Sequence, residues 1–163
     1  MAKYRISRNI ERSFLDQIKD LLPDGDWENV RVEKTFVDAY KKGSDGSFLL
    51  PCIVINVLES RAKRLEISSK TYLKYITVNF RVFGTDDGNR LDLKDWLFEQ
   101  IENYDFIYYT YEIVDNIPMG TEAGKIVITK IFDDKKEMQN SETLVQADKF
   151  RHIISCEVMV VLS

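Results

Sequence analysis

From Tyr72 to Phe83 apolar and polar residues alternate, with Ile76, Val78, Phe80 and Val82 on one side and Thr77, Asn79 and Arg81 on the other. A period of two sends the two sets to opposite faces of an extended chain, so the spacing predicts a half-buried strand. The period then changes. Leu93, Leu97, Ile101 and Tyr104 recur at i, i+4, i+8 and i+11 opposite Asp92, Asp95, Glu99 and Glu102, which predicts an amphipathic helix from Arg90 to Tyr104. Asp86, Asp87, Gly88 and Asn89 precede it and predict a turn and an N-cap, where aspartates complement the positive end of the helix dipole.

The same patterning predicts an earlier helix over Arg8 to Leu22, with Ile10, Phe14, Ile18, Leu21 and Leu22 on one face, Ser7 or Asn9 as its cap, and Pro23 and Gly25 as its stop. Val30 to Val37 alternates as a strand, and Asp38 to Ser47 is polar and glycine-containing, a candidate hairpin arm. Cys52 to Leu58 is almost wholly apolar, which predicts a central strand buried on both faces, with Pro51 at its start and Asn56 needing a partner. Arg61 to Arg64 reads as a basic turn and Leu65 to Ser68 as a short strand. Phe106 to Val114 and Lys125 to Phe132 read as a long hairpin joined by a loop holding Pro118, Gly120 and Gly124. Asp133 to Ala147 reads as a solvated extension, and Lys149 to Leu162 as the closing strand with Phe150, Ile154, Cys156, Val158, Val160 and Leu162 on one face.

Helix, strands, helix, strands is an α+β arrangement: a mostly antiparallel mixed sheet with two main helices packed on one face. The other face, with Thr77, Asn79, Arg81, Ser155 and Glu157, is expected to meet water, a lumen or another subunit. A chain of 163 residues fits one domain, 1–163, with protruding loops at about 38–50 and 133–147. The net charge of -4 lacks the pervasive basic footprint of a domain built to grip phosphate backbones. Cys52 and Cys156 lie in apolar strand-like runs, as buried reduced thiols do. The polar, basic start has no apolar core of a secretory signal and no apolar run reaches membrane-spanning length, so the chain is expected to be made in the cytoplasm.

The pattern points to no catalytic residue, cofactor or metal. His152, the single histidine, falls on the core face of the last strand without a partner for acid-base work, and Cys156 lies four residues further along an extended chain, out of reach. The aspartates at 86, 87 and 92 lack the alternate spacing and terminal glutamate of a calcium loop. A magnesium nuclease would set carboxylates on adjacent central strands, whereas Asp92-Leu93-Lys94 lies on a helix and Asp133-Asp134-Lys135 past a strand end. Tyr108, Tyr109 and Tyr111 read as sheet packing ahead of base stacking. What remains is a set of candidate interface residues: Arg8 and Arg12 on the first helix, Lys41, Lys42 and Phe48 in the first loop, and Asp133, Asp134, Lys135, Lys136 and Met138 in the second. Lys3, Arg5, Arg61, Lys63 and Arg64 are further basic residues, and Asp133, Asp134 and Glu137 offer acidic groups to Arg8 and Arg12 of a neighbour.

The layout of Ile10 to Leu22, Cys52 to Leu58, Tyr72 to Phe83, Arg90 to Tyr104 and Phe150 to Leu162 resembles that of the tail terminator and tail completion proteins of tailed bacteriophages, with the 133–147 segment as a departure. No short motif carries the likeness, so no functional residue is transferred by position. The resemblance implies a non-enzymatic virion protein of the tail or neck, assembled in the host cytoplasm as a ring of typically six copies. Its partners would be itself, the tail tube protein and the head-tail connector protein, with DNA passing through the lumen without sequence-specific binding and no membrane involved. Two other expectations stand beside it: an accessory nucleic-acid-binding protein or magnesium-dependent nuclease on the same scaffold, and a dimeric interaction module.

Overall fold

The structure is a computed structural model that describes residues 5–64, 72–137 and 146–163. In chain order the elements are α1 (Ile6–Leu21), β1 (Arg31–Glu33), β2 (Cys52–Arg64), β3 (Tyr72–Phe83), α2 (Asp87–Asn103), β4 (Ile107–Val114), β5 (Ile117–Lys136), α3 (Gln146–Lys149) and β6 (Arg151–Leu162). The strands form one six-stranded sheet in the order β1-β2-β3-β6-β5-β4, antiparallel except where β1 runs parallel to β2. The fold is α+β.

The alternation in β3 is the axis of the core. Ile76, Val78, Phe80 and Val82 are wholly buried and pack beneath α1 and α2 with Ile154, Cys156 and Val158 of β6. From α1, Phe14 sets its ring edge-on to Phe80 and Phe106, with centroids 5.1 and 4.8 Å away. The buried stripe of α2 is Leu93, Leu97 and Ile101; Tyr104, the fourth residue of the predicted stripe, lies past the helix end and is exposed. Asp86 caps α2, accepting a hydrogen bond from the Asn89 N–H at 2.8 Å.

Because α1 touches β4 at one margin of the sheet and β1 and β2 at the other, the sheet curls around it. A polar stripe of α1 closes the β4 margin. Asn9, Ser13 and Gln17, one helical turn apart, are all buried. Gln17 donates to the Ile107 carbonyl at 2.8 Å and accepts from the Ile107 N–H at 2.9 Å. Ser13 Oγ accepts from the Tyr109 N–H at 3.0 Å, and Asn9 Oδ1 from the Tyr111 N–H at 3.2 Å. Edge-strand groups that would otherwise invite another chain are thereby satisfied within the molecule. The predicted capping role of Asn9 is corrected: the N-cap is Arg5, without a side-chain hydrogen bond, and the Asn9 amide serves β4.

Four further expectations change. Arg61 to Arg64 is strand, not turn, since β2 pairs with β3 as far as Arg64↔Tyr72. The loop expected around Pro118 and Gly120 is also strand: β4 turns into β5 over Asp115 and Asn116 alone, whose φ values of 49° and 64° are those of a tight two-residue hairpin. Gly124 is required there, because a Cβ would lie 2.1 Å from the Val161 carbonyl oxygen. The polar run from Asp133 does not leave the sheet at once; Asp133 to Lys136 pair with Ser155 to His152 of β6. Finally, the second face of the sheet is covered in part. A 3-10 turn at Phe36–Tyr40 replaces the end of the predicted strand, and Phe36, Tyr40, Phe48 and Leu50 pack with Ala39, Cys52, Val54, Phe83 and Ala147. The tip of that segment, 44–47, stays exposed. Both cysteines are free and buried, and burial pushes each thiol up to about 12. The expected strand Leu65–Ser68 lies outside the described residues.

Candidate functional site

The densest polar constellation sits where the end of β5, the start of β6 and the N-terminus of α2 meet. Antiparallel pairing sets Lys136 opposite His152, and the first turn of α2 lies over them. His152 is 5% exposed and is not the partnerless residue that the sequence suggested. Its Nδ1 is 2.6 Å from Arg90 Nη1 and its Nε2 is 2.6 Å from Asp134 Oδ1. A guanidinium only donates, so Nδ1 accepts and Nε2–H donates to Asp134, which defines a neutral imidazole. Burial lowers the His152 pKa; Asp134 opposes that lowering, and the Arg90 and Lys94 charges add to it. Arg90 is anchored by Asp87 at 3.0 Å, Lys136 reaches the same carboxylate at 3.3 Å, and Lys94 reaches Asp134 at 3.4 Å. Cations and carboxylates alternate through this network, and it ties α2 to the sheet.

On the opposite face of the same strand ends lies a second network. Glu137 accepts a hydrogen bond from Arg81 Nε at 3.1 Å, and its other carboxylate oxygen stands 2.7 Å from Arg151 Nε as an ion pair. Arg151 also reaches Asp148 at 2.9 Å and the Tyr40 hydroxyl at 3.3 Å, and that hydroxyl donates to Asp148. Burial, then the adjacent Asp148, pushes the Tyr40 hydroxyl up to about 12. The Phe36 ring lies under both guanidiniums, 5.4 Å from that of Arg81 and 5.0 Å from that of Arg151. Asn56 finds its partners here, donating to the Lys34 carbonyl at 2.6 Å and accepting from Arg81 at 3.5 Å. Neither network brings a serine or cysteine nucleophile to the imidazole. Chemically they do what buried ion pairs do: they hold elements in register.

The candidate interface residues do not converge. Arg8 and Arg12 line a shallow groove on α1 with Glu11 and Lys34, and Arg12 pairs with Asp16 at 2.9 Å. Lys41 pairs with Asp38 at 2.9 Å, and Lys42 stands 4.9 Å over the Phe48 ring, which is itself packed in the second cluster. Lys135 pairs with Asp133 at 2.9 Å, while Asp134, Lys136 and Glu137 belong to the two networks. The acidic groups offered to a neighbour's Arg8 and Arg12 are thus already engaged within the chain. Met138 and Lys3 lie outside the described residues. Tyr108 and Tyr111 are buried, with the Tyr111 hydroxyl donating to Asp16 at 3.0 Å, as sheet packing requires.

The surface carries several open grooves, and two of them lie against the ends of the helices. One of about 290 Å³ lies between the end of α1 and β1, lined by Lys19, Leu22, Glu28, Val30, Arg31 and Glu33. The other, about 170 Å³, lies between the end of α2 and β5, with Glu102, Tyr104, Asp105, Lys125 and Val127 around it. No histidine, serine or cysteine lines either. Among the described residues no group of three or more His, Cys, Asp or Glu is placed to hold a metal ion, and no helix is long and apolar enough to cross a membrane. No protein-family model matches the chain, and no curated protein matches its sequence.

Proposed function

We propose that this chain is a structural subunit that assembles with copies of itself into a ring, caps the end of a phage tail tube and joins it to the head-side connector. Support comes above all from where the free surface lies. The charged clusters are closed internally, whereas two strand arms extend beyond the helix-covered core with exposed apolar side chains: Leu58 on β2, and Val114, Ile117 and Met119 at the β4–β5 turn. Apolar residues exposed on projecting arms suit surfaces that become buried in an assembly. A net charge of -4 also suits a lumen through which DNA passes without being held. The ring would end tube growth because one face matches the tube and the other presents connector-binding loops.

Light scattering of the purified protein, together with electron microscopy of the protein mixed with purified tail tubes, tests this. Rings seated on tube ends are the expected result. A strictly monomeric protein that ignores tubes overturns the proposal, and magnesium-dependent cleavage of DNA would put an enzyme in its place.

A further inference from the structure

The first turn of α2 is fastened to the sheet at a place where charge is balanced while His152 is neutral. Arg90 and His152 are each 5% exposed. Among the described residues, α2 brings Asp87, Arg90 and Lys94 to the neighbourhood of the ring, β5 brings Asp134 and Lys136, and β3 sets the apolar Val82 beside it in register. Arg90 and Lys136 meet Asp87, and Lys94 meets Asp134 and Asp95, so each of these cations already has a carboxylate. A proton on the ring adds a positive charge and brings no carboxylate with it. It also has one place to go. Nε2–H is already given to Asp134, so the proton enters at Nδ1, the atom that accepts from Arg90 Nη1 at 2.6 Å. Two donors then face each other, and the contact turns from attraction to repulsion in a site largely shut off from water.

What Arg90 holds is local. Gly84, just before the turn, packs so closely on the Arg90 backbone that a Cβ there would lie 2.9 Å from Arg90 N and Cα, and its N–H donates to the Phe150 carbonyl at 2.8 Å. The turn itself is closed by the Arg90 N–H on the Asp86 carbonyl at 3.0 Å and the Asn89 N–H on the Asp86 carboxylate at 2.8 Å. The Asp87 side chain, paired to Arg90, is 55% exposed and marks an outward route for the guanidinium. Further along, Leu93, Leu97 and Ile101 hold the helix by apolar burial that no proton alters.

We propose that His152 is an acid-sensitive latch: neutral, it holds Arg90 and with it the first turn of α2 against β5 and β6; protonated, it expels Arg90, and residues 84–90 open while the rest of α2 stays packed. The closed state resists the proton, because burial lowers the His152 pKa from 6.5 and the Arg90 and Lys94 charges add to the lowering, whereas Asp134 opposes it. The open state, with the ring in water, takes the proton at the ordinary value. Opening is therefore insensitive to pH above about 6.5 and favoured by up to about tenfold per pH unit below it, until the closed state titrates as well. The latch operates within one chain and does not depend on self-assembly.

Residue-resolved hydrogen exchange by NMR on the full-length protein tests this from about pH 7.5 down to about 5, a window above the ordinary carboxylate range. Protection factors, which remove the intrinsic pH dependence of exchange, are the readout. The N–H groups of Gly84, Asn89 and Arg90 are expected to lose up to about tenfold in protection per pH unit below 6.5, while those of Leu97 and Ile101 keep theirs. Ring shifts in the same samples should show a neutral imidazole protonated at Nε2 at the upper end and a midpoint below 6.5. Arg90→Gln removes the opposing cation and is expected to raise that midpoint. His152→Gln keeps a polar side chain without titration and is expected to flatten the exchange response. Thermal melting at the upper pH shows which variants fold; if His152→Gln does not, the wild type and Arg90→Gln decide. Protection lost uniformly along α2 would make the histidine a matter of global stability alone and overturn the latch. A midpoint unmoved by Arg90→Gln, or an exchange response that survives in His152→Gln, would overturn it too.

Discussion

His152 is held neutral between a cation and a carboxylate, and two measurable consequences follow from that geometry. Its folded pKa lies below the ordinary 6.5 because it is buried, so between the two values the unfolded chain binds a proton that the folded chain refuses. The stability this residue contributes is therefore complete above about 6.5 and is lost as pH falls through that window. Urea titrations from pH 7.5 to 5 should show the loss in the wild type and a shallower slope in His152→Ala, which itself costs about 1–3 kcal/mol through the partners it strands. A slope unchanged by the substitution would assign the acid sensitivity to another group. At Glu137, replacement by Ala leaves the guanidiniums of Arg81 and Arg151 facing each other across a largely buried site, with an expected cost of about 3 kcal/mol in the same assay. Replacing an exposed carboxylate such as Glu99, which pairs with no cation among the described residues, should cost almost nothing by comparison. Neither His152 nor Glu137 was legible as a network member from sequence. The face and burial of His152 follow from local alternation, but Arg90 is 62 residues away and Glu137 meets Arg81 across 56.

At the scale of elements, α1 does two things with two stripes. Its apolar stripe, including Ile10, Phe14 and Ile18, makes core, as its periodicity announces. Its polar stripe, Asn9, Ser13 and Gln17, substitutes for the missing neighbour of β4. Gln17→Leu should leave the Ile107 N–H and carbonyl without their partners and destabilise the protein by about 1–3 kcal/mol. It should also unmask the strand edge, so that turbidity on mild heating rises faster than the stability loss alone predicts. An unchanged aggregation rate at matched fraction unfolded would show that the stripe matters for stability only. Local patterning identified α1, β3 and α2 because helix and strand periods are properties of neighbouring residues. It misplaced the β4–β5 turn because two left-handed residues, Asp115 and Asn116, make a tighter hairpin than Pro118 and Gly120 suggested. Asp-Asn between two β-rich runs was the available signal.

At the scale of the whole molecule, the curled sheet takes α1 and α2 on one side and lets β2, β3 and the β4–β5 hairpin extend past the core. If copies meet through the exposed apolar residues of these arms, Leu58, Ile117 and Met119, assembly must strengthen in a kosmotropic salt such as sulfate. Sedimentation at low and high sulfate should show the average mass rising with salt. A mass that falls as salt rises would indicate contacts between exposed charges instead.

The sequence by itself determined which residues face the core of β3 and, Tyr104 apart, of α2, together with the α+β class and the burial of the cysteines, because each depends on a short-range period or on composition. The tertiary structure alone decided the strand order, the sealing of β4 by a helix about a hundred residues earlier, the cover that Phe36 to Leu50 lays on the second face, and the pairing of nearly every charge in the strand-end networks. Those features depend on which distant segments become neighbours, and periodicity specifies a face without naming what lies against it.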